Sequence, residues 1–425
     1  MKNYKNYISL GILIFVMCGI IFAFSTITKN NNLSASNSEN QNQNTTQTPK
    51  FEFVPARQSL NSSISFENNF GGSNFDEVNF VYYLNDYYLI GSTLSTDKYF
   101  ENNKSSSVYV LICDSLGNAK NVYTLNFDSE IKVVDAKIFS NSIYILIDSD
   151  GTKIVEFNLS DTTLKIVYSI NETPLNLVVS SQPIVVTTLT NKTNFHFLNS
   201  NKTFSLNYKI ENIVLGCDYA NGTLLIFNAN NAVFVGILNL DSFEEIIQIE
   251  NSNLITFNIT NLNFVFVIKS QENYLVKIYD LNFESEAELK IPNGTDFKLF
   301  YYNNQHYLTY LTNNYLNMIS FCNHGDTLNS KTILSGVGSY NFQIVNNLVA
   351  CLTSNTDGSI SLNSFNFIGN LEKSVTIPSS LNLNITSFEL NYNLNFFVVG
   401  NFKMANSLIT NNFGNSDIFV CEIKF

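Results

Sequence analysis

Basic charge is scarce in this sequence of 425 residues: 23 Lys plus Arg face 35 Asp plus Glu, a formal charge of −12 with histidine neutral. Such a surface repels phosphate, which argues against nucleic acid as a partner. Charged residues of both signs make up only 14%, too few for helices built on Glu, Lys and Ala. Tryptophan is absent, but 36 Phe and 22 Tyr are present, and aromatics in that number suit the pleated, half-buried surface of strands. Histidine occurs only at His196, His306 and His324, and neither GxSxG nor HExxH is found, so a histidine-dependent active site has few members to draw on. No cofactor is implied. Hydrophobic residues reach 45%, which supplies a large core and excludes a disordered chain.

The six cysteines lack CxxC or metal-ligand spacing. Cys18 lies in an apolar run, whereas Cys113, Cys217, Cys322, Cys351 and Cys421 lie in or beside strand-like sequence, the setting of buried free thiols rather than of a disulfide framework. The apolar run covers residues 8–27, follows Lys2 and Lys5, and carries no charge. At about 1.5 Å per helical residue it is long enough for a bilayer core of roughly 30 Å. The flanking lysines orient it with the bulk of the chain outside the cytoplasm. Two fates are open: a retained signal anchor, or a signal peptide cleaved at Ala23-Phe24-Ser25, a small-x-small sequence. Lipidation of Cys18 is disfavoured by Met17 before it. Residues 28–50 are dominated by Asn, Ser, Thr and Gln, a composition that buries little and reads as a flexible spacer. The expected layout is a signal anchor or signal peptide over 1–27, a polar linker over 28–60 and one folded domain over 61–425.

Within that domain, short runs such as YYLIGSTL, SIYILIDSD, TLLIFN, AVFVGILNL and FVFVIK alternate with Asn, Asp, Ser and Gly. The pattern is all-β, joined by tight turns. An Asp or Asn recurs in phase, at Asp114, Asn158, Asn199, Asn239, Asp280, Asn323 and Asn366, in steps of 44, 41, 40, 41, 43 and 43. A repeat of that length holding four short strands is the size of a β-propeller blade, a sheet too small to bury both faces unless neighbours stack on it around a ring. The last unit runs out of sequence after three strands, ending with SDIFVCEIKF, and the stray strand SISFENN at residues 63–69 can fill the gap. That arrangement predicts eight four-stranded blades, closed by an N-terminal strand joining the C-terminal blade.

Residues 70–125 then carry a recognisable pattern: Gly71, Gly72 and Ser73 with Asp76, next Gly91 with Thr93, next Tyr109, Val110, Asp114, Gly117 and Asn118. The final unit repeats its marks at Gly400, Gly414, Asp417, Phe419 and Val420. The sequence resembles the bacterial propeller repeats called SBBP repeats, in which a GGS-x-x-D turn leads to a YxxGxT strand and a DAFVxKLDxxGN strand. Ile112 and Glu422 replace the family's usual Lys, and the family's fourth-strand Trp is missing. The resemblance implies a secreted or surface-attached bacterial propeller, of a family mostly without assigned activity. Because the family is commonly seven-bladed, seven is the alternative blade count.

Several residues invite a chemical reading. Asp148 and Asp150 precede Gly151 as in oxygen-rich cation loops, but no ligand follows at the next positions, and a tight hairpin explains them as well. The similar NTDGS at residues 355–359 reads the same way, and CNHGD around His324 aligns with the turn at Asp114. His196, between Phe195 and Phe197, reads as a strand residue. Two tyrosine clusters stand out: Tyr82, Tyr83, Tyr87 and Tyr88, and Tyr301, Tyr302, Tyr307 and Tyr310. They are expected either to pack between blades or to form platforms for sugar rings or a protein partner. The function expected is that of an extracellular binding module for a protein or glycan, attached to a membrane through its N-terminal helix or secreted. The alternatives are a propeller enzyme acting on extracellular glycans through carboxylates at the central mouth, and a structural surface spacer.

Overall fold

The computed structural model describes residues 57–58, 64–219, 222–345, 347–377, 383–390, 395–402 and 414–424. In it the in-phase Asp and Asn residues are turn-makers. Asp114 Oδ1 accepts the amides of Leu116 at 2.9 Å and Asn118 at 2.8 Å, while Gly117 takes a φ of 77° and donates to Asp114 O. The side chain imitates a turn of backbone and the chain reverses over five residues. Asn158, Asp280 and Asn366 hold their turns the same way. In the sixth unit the frame slips by one: Cys322 closes the turn with Gly325 and Asp326. Asn323, the residue picked out by the period, instead accepts from His306 Nε2 at 2.9 Å.

These turns join the third and fourth strands of successive antiparallel sheets, and the sheets number eight. Blade 1 runs Asp76–Tyr83, Tyr87–Thr93, Ser107–Cys113 and Ala119–Asn126. Blades 2 to 7 follow over 132–170, 173–206, 210–250, 252–291, 295–335 and 337–377. Blade 8 takes Leu383–Leu390, Phe396–Phe402 and Asp417–Ile423 from the C-terminal end. Its fourth strand is Ile64–Phe70, antiparallel to Asp417–Ile423, with Arg57–Gln58 paired outside it. The count is therefore eight, not the alternative seven, and the stray strand starts and ends one residue later than the sequence suggests. The apolar run over 8–27 and the linker up to residue 56 lie outside the described residues. Among the described residues, no helix is long and apolar enough to cross a membrane.

The first strands lie innermost, most of them against their counterparts in the flanking blades, and all eight share one irregularity. Each skips register against the second strand, at Val78/Phe80, Val133/Asp135, Pro174/Asn176, Ile213/Leu215, Leu254/Thr256, Thr295/Lys298, Val337/Ser339 and Ile385/Ser387. A bulge increases local twist and releases backbone groups that must find partners elsewhere. Neighbouring blades supply them. Asn401 in blade 8 accepts from Val78 N at 3.0 Å and donates to Val78 O at 3.4 Å. Asn228 in blade 4 does the same for Leu254 in blade 5, at 2.8 and 3.1 Å. Asp135 in blade 2 accepts from Leu177 N in blade 3 at 3.1 Å, and the Tyr340 hydroxyl of blade 7 donates to Asp296 O of blade 6 at 2.6 Å.

Between these polar links the blades bury continuous apolar layers, such as Ile90, Val110, Ile143 and Val155 between blades 1 and 2, and Phe195, Leu225 and Phe227 between blades 3 and 4. Cys113, Cys351 and Cys421 are buried and Cys217 and Cys322 half-buried, all five as free thiols. Burial pushes the Cys217 thiol up to about 12 and keeps it protonated.

The motif residues of blade 1 are placed for closure. Asp76 is fully buried; its carboxylate accepts Gly72 N at 2.7 Å, the Ser95 hydroxyl at 3.0 Å and the Thr93 hydroxyl. Its own amide donates to Ser416 O of blade 8 at 2.9 Å, next to a parallel bridge between Phe75 and Ser416. Gly91 leaves room for the Tyr109 hydroxyl to reach Glu77 O at 2.9 Å; a Cβ on Gly91 would lie 1.8 Å from that carbonyl oxygen.

Two predictions follow from this packing. Gly91→Ala must displace the bulge carbonyl and break the tyrosine bond, so it is expected to lower unfolding stability by about 3 kcal/mol. A change in the urea midpoint worth less than about 1 kcal/mol would contradict the assignment. Burial raises the Asp76 carboxyl from 3.8 to about 6, against the hydrogen bonds from Thr93, Gly72 and Ser95 and with a further push from the Asp97 charge. The folded chain thus holds this proton more tightly than the unfolded chain. The group's contribution is most favourable below pH 3.8 and declines as pH rises to about 6, a difference of ~3 kcal/mol. Asp76→Asn is expected to remove that decline when urea midpoints are compared at about pH 4 and about pH 7; an unchanged difference from wild type at both pH values would contradict it.

Candidate functional site

Strand one of each blade leads into a turn on the same ring face as the turn between strands three and four, because successive strands of a meander reverse direction. On that face amides dominate: Asn85, Asn141, Asn261, Asn303, Asn304 and Asn347 occupy the first turns of their blades. Asn85, Asn303, Asn304 and Asn347 have positive φ, between 48° and 78°, a conformation that Asn tolerates better than most residues.

The tyrosine clusters flank these turns, and the structure divides them. Tyr87, Tyr307 and Tyr310 are buried, at 0%, 3% and 4% exposure. Tyr87 stacks on Phe397 of blade 8 at 3.6 Å, Tyr307 on Phe300 at 5.0 Å and Tyr310 on Phe297 at 5.5 Å. Tyr82 donates to Ala136 O of blade 2 at 2.5 Å, Tyr83 lies 4.7 Å from Tyr87, and Tyr88 packs toward Phe157 of blade 2. Tyr302 stacks on Phe367 of blade 7 at 4.1 Å and donates to Asn347. These seven rings are engaged in packing, mostly across blade boundaries.

Tyr301 is placed differently. It lines a cleft of about 650 Å³ between the first turns of blades 5 and 6. Residues 258–261 form one wall; Phe300, Tyr301, Asn303 and Asn304 form the other. The volume lies within the roughly 300–1,000 Å³ range of ligand sites. No lining residue is ionisable apart from the tyrosine phenol. The Tyr301 hydroxyl donates to Asn304 Oδ1 at 3.1 Å, and its ring rests 4.8 Å from that of His306. His306 is fully buried, and burial pushes its imidazole down to about 4 against the hydrogen bond with Asn323. The layer beneath Tyr301 is therefore uncharged at neutral pH. Tyr301 belongs to a cluster that the sequence singles out, whereas the facing wall was not legible as a site, because residues 258–261 contain no aromatic and lie about one blade away.

A second polar cluster ties the loop between blades 2 and 3 to blade 3. Glu172 accepts from Asn194 Nδ2 at 2.9 Å, from His196 Nε2 at 3.1 Å and from the Thr187 hydroxyl. His196 Nδ1 meets Thr203 Oγ1 at 3.0 Å. Burial works to raise the Glu172 carboxyl, and the bonds from Thr187, Asn194 and His196 outweigh it, so the group is held below the usual range. His196 is a strand residue, as its sequence suggests, but its carboxylate partner lies in the loop before the blade and carries no local signal. The arrangement binds a loop to a blade.

The other candidates are turns. Asp148 and Asp150 flank Ser149, whose amide donates to Gly151 O at 2.9 Å, with Asp150 and Gly151 both at positive φ. At residues 355–359 the Asp357 carboxylate accepts from the Ser359 amide at 2.8 Å and hydroxyl at 2.6 Å. His324 is exposed in the hairpin closed by Cys322 and Asp326. Among the described residues, no group of three His, Cys, Asp or Glu side chains is placed to hold a metal ion. Of the inner-strand carboxylates, Asp76 and Asp135 bind backbone amides of their own loop or of the next blade.

No family model matches the chain, and no curated protein matches it in sequence. Solved structures do match in shape. The Saccharomyces cerevisiae protein Sqt1 aligns with a TM-score of 0.56 at 10% identity, over 84% of this chain and 98% of its own. The computationally designed protein Ika8 aligns with a TM-score of 0.52 at 10% identity, over 83% of this chain and 99% of its own. At such identities the likeness is one of fold alone, and the fold is an eight-bladed β-propeller.

Proposed function

We propose that this chain is an extracellular binding module, secreted or held at the cell surface by its N-terminal apolar segment, and an outlying member of the SBBP propeller group. A closed ring of stacked sheets makes a rigid platform, and its turns are free to meet a ligand because the core does not depend on them. The observation that carries this reading is the cleft between blades 5 and 6, where the half-buried ring of Tyr301 and several amides border an uncharged hollow. The group membership is supported by the work that Gly72, Asp76, Gly91 and Asp114 do in closing blade 1 and its turns. The extracellular orientation is supported by Lys2 and Lys5 ahead of the run over 8–27.

Two measurements test this. An amine-reactive, membrane-impermeant reagent applied to intact cells is expected to label the half-exposed Lys120 and Lys202; labelling only after lysis would contradict the location. Purified full-length chain carrying a fluorophore is expected to bind cell-envelope material saturably and to be displaced by unlabelled chain. Binding that fails to saturate would contradict the module reading.

A further inference from the structure

We infer that the cleft between blades 5 and 6 is a subsite for a neutral, hydroxyl-rich ligand, that is, an uncharged segment of a polysaccharide. The inference rests on the binding-module reading above and names the chemistry of its ligand.

The Thr260 hydroxyl is bound to Asn263 and that of Tyr301 to Asn304, but three of the cleft's amides are uncommitted. Asn258, half-buried on the last turn of its strand, and the exposed Asn261 and Asn303 make no side-chain hydrogen bond among the described residues. Asn304 uses its oxygen for Tyr301 and leaves its NH₂ free. Each amide presents a donor and an acceptor a short distance apart, which matches a vicinal pair of hydroxyls that both donate and accept. Tyr301 adds an apolar surface against which the C–H face of a sugar ring can lie. Tyr301 is fixed from two sides, by Asn304 at its hydroxyl and His306 against its ring, so little side-chain freedom is lost on binding.

The same features weigh against other ligands. A phosphate or carboxylate would need a cation or a helix N-terminus, and the lining has neither, on a chain of net charge −12.

Affinity gel electrophoresis of the full-length chain tests the inference, with dextran, mannan, mixed-linkage β-glucan and arabinoxylan as neutral probes and polygalacturonate as the acidic control. At least one neutral polysaccharide is expected to retard the wild-type chain, and polygalacturonate is not. Asn303→Asp places a carboxylate in the cleft at an exposed turn position without touching the core, and Asn258→Ala removes an amide. Each is expected to weaken retardation about tenfold in apparent Kd, or about 1.4 kcal/mol, with an unchanged thermal midpoint. Retardation that both variants retain in full would overturn the cleft assignment. Saturable envelope binding without retardation by any neutral probe, or with retardation by polygalacturonate alone, would overturn the ligand class while leaving the module standing. Loss of both would remove the two readings together.

Discussion

The structure depends on one geometric constraint: a four-stranded sheet has two apolar faces and cannot cover either by itself. Each blade buries its faces only against its neighbours, so an incomplete ring would leave two open flanks. Pairing of Ile64–Phe70 with Asp417–Ile423 puts the two ends of the domain into one sheet. The buried carboxylate of Asp76, through the Gly72 amide of the crossing loop, the amide link to Ser416 and the Asn401 contacts with Val78 then hold that sheet to blade 1. Sequence from the two ends of the domain is thus concentrated at one seam, and the glycine-rich turn at Gly71 and Gly72 is the loop that makes the crossing.

Closing eight sheets around one axis brings the innermost strands together, and the eight bulges are the response. Each sits in the first strand of its blade, and at four of them, in blades 1, 3, 5 and 6, an exposed backbone group is bound by Asn, Asp or Tyr of an adjacent blade. Polar side chains that look like candidates for chemistry, among them Asp135, Asn228 and Tyr340, are occupied in this way. The low charge content fits the same picture, because amides and hydroxyls can be satisfied in a crowded interior at less cost than ions.

Much of this architecture was legible because its signals are local. An Asp or Asn closing a tight turn, at Asp114, Asp280 and Asn366 by binding the amides two and four residues on, is a feature of five residues, and the recurrence of Asp or Asn at that phase gives blade length and number. The bulges were not legible: they answer to crowding at the axis, which no single blade's sequence expresses. The tyrosines were only half legible. Tyr87 and Tyr301 both flank first turns rich in Asn, but Tyr87 faces Phe397 across a blade boundary and Tyr301 faces a gap between two turns. That difference depends on the phase of the neighbouring blade. The pairing of Glu172 with His196 was not legible for a like reason, since it depends on where the loop between blades 2 and 3 comes to rest.

The central claim is that the N-terminal strand completes the last blade, and hydrogen exchange reads it directly. In the full chain, amides of Asp417–Ile423 are predicted to exchange as slowly as those of Ser107–Cys113, the corresponding third strand of blade 1. In a chain lacking residues up to Phe70, the strand becomes an edge and its slow exchange is predicted to be lost, with protection in blade 4 retained. Equal protection of Asp417–Ile423 in both chains would contradict the account.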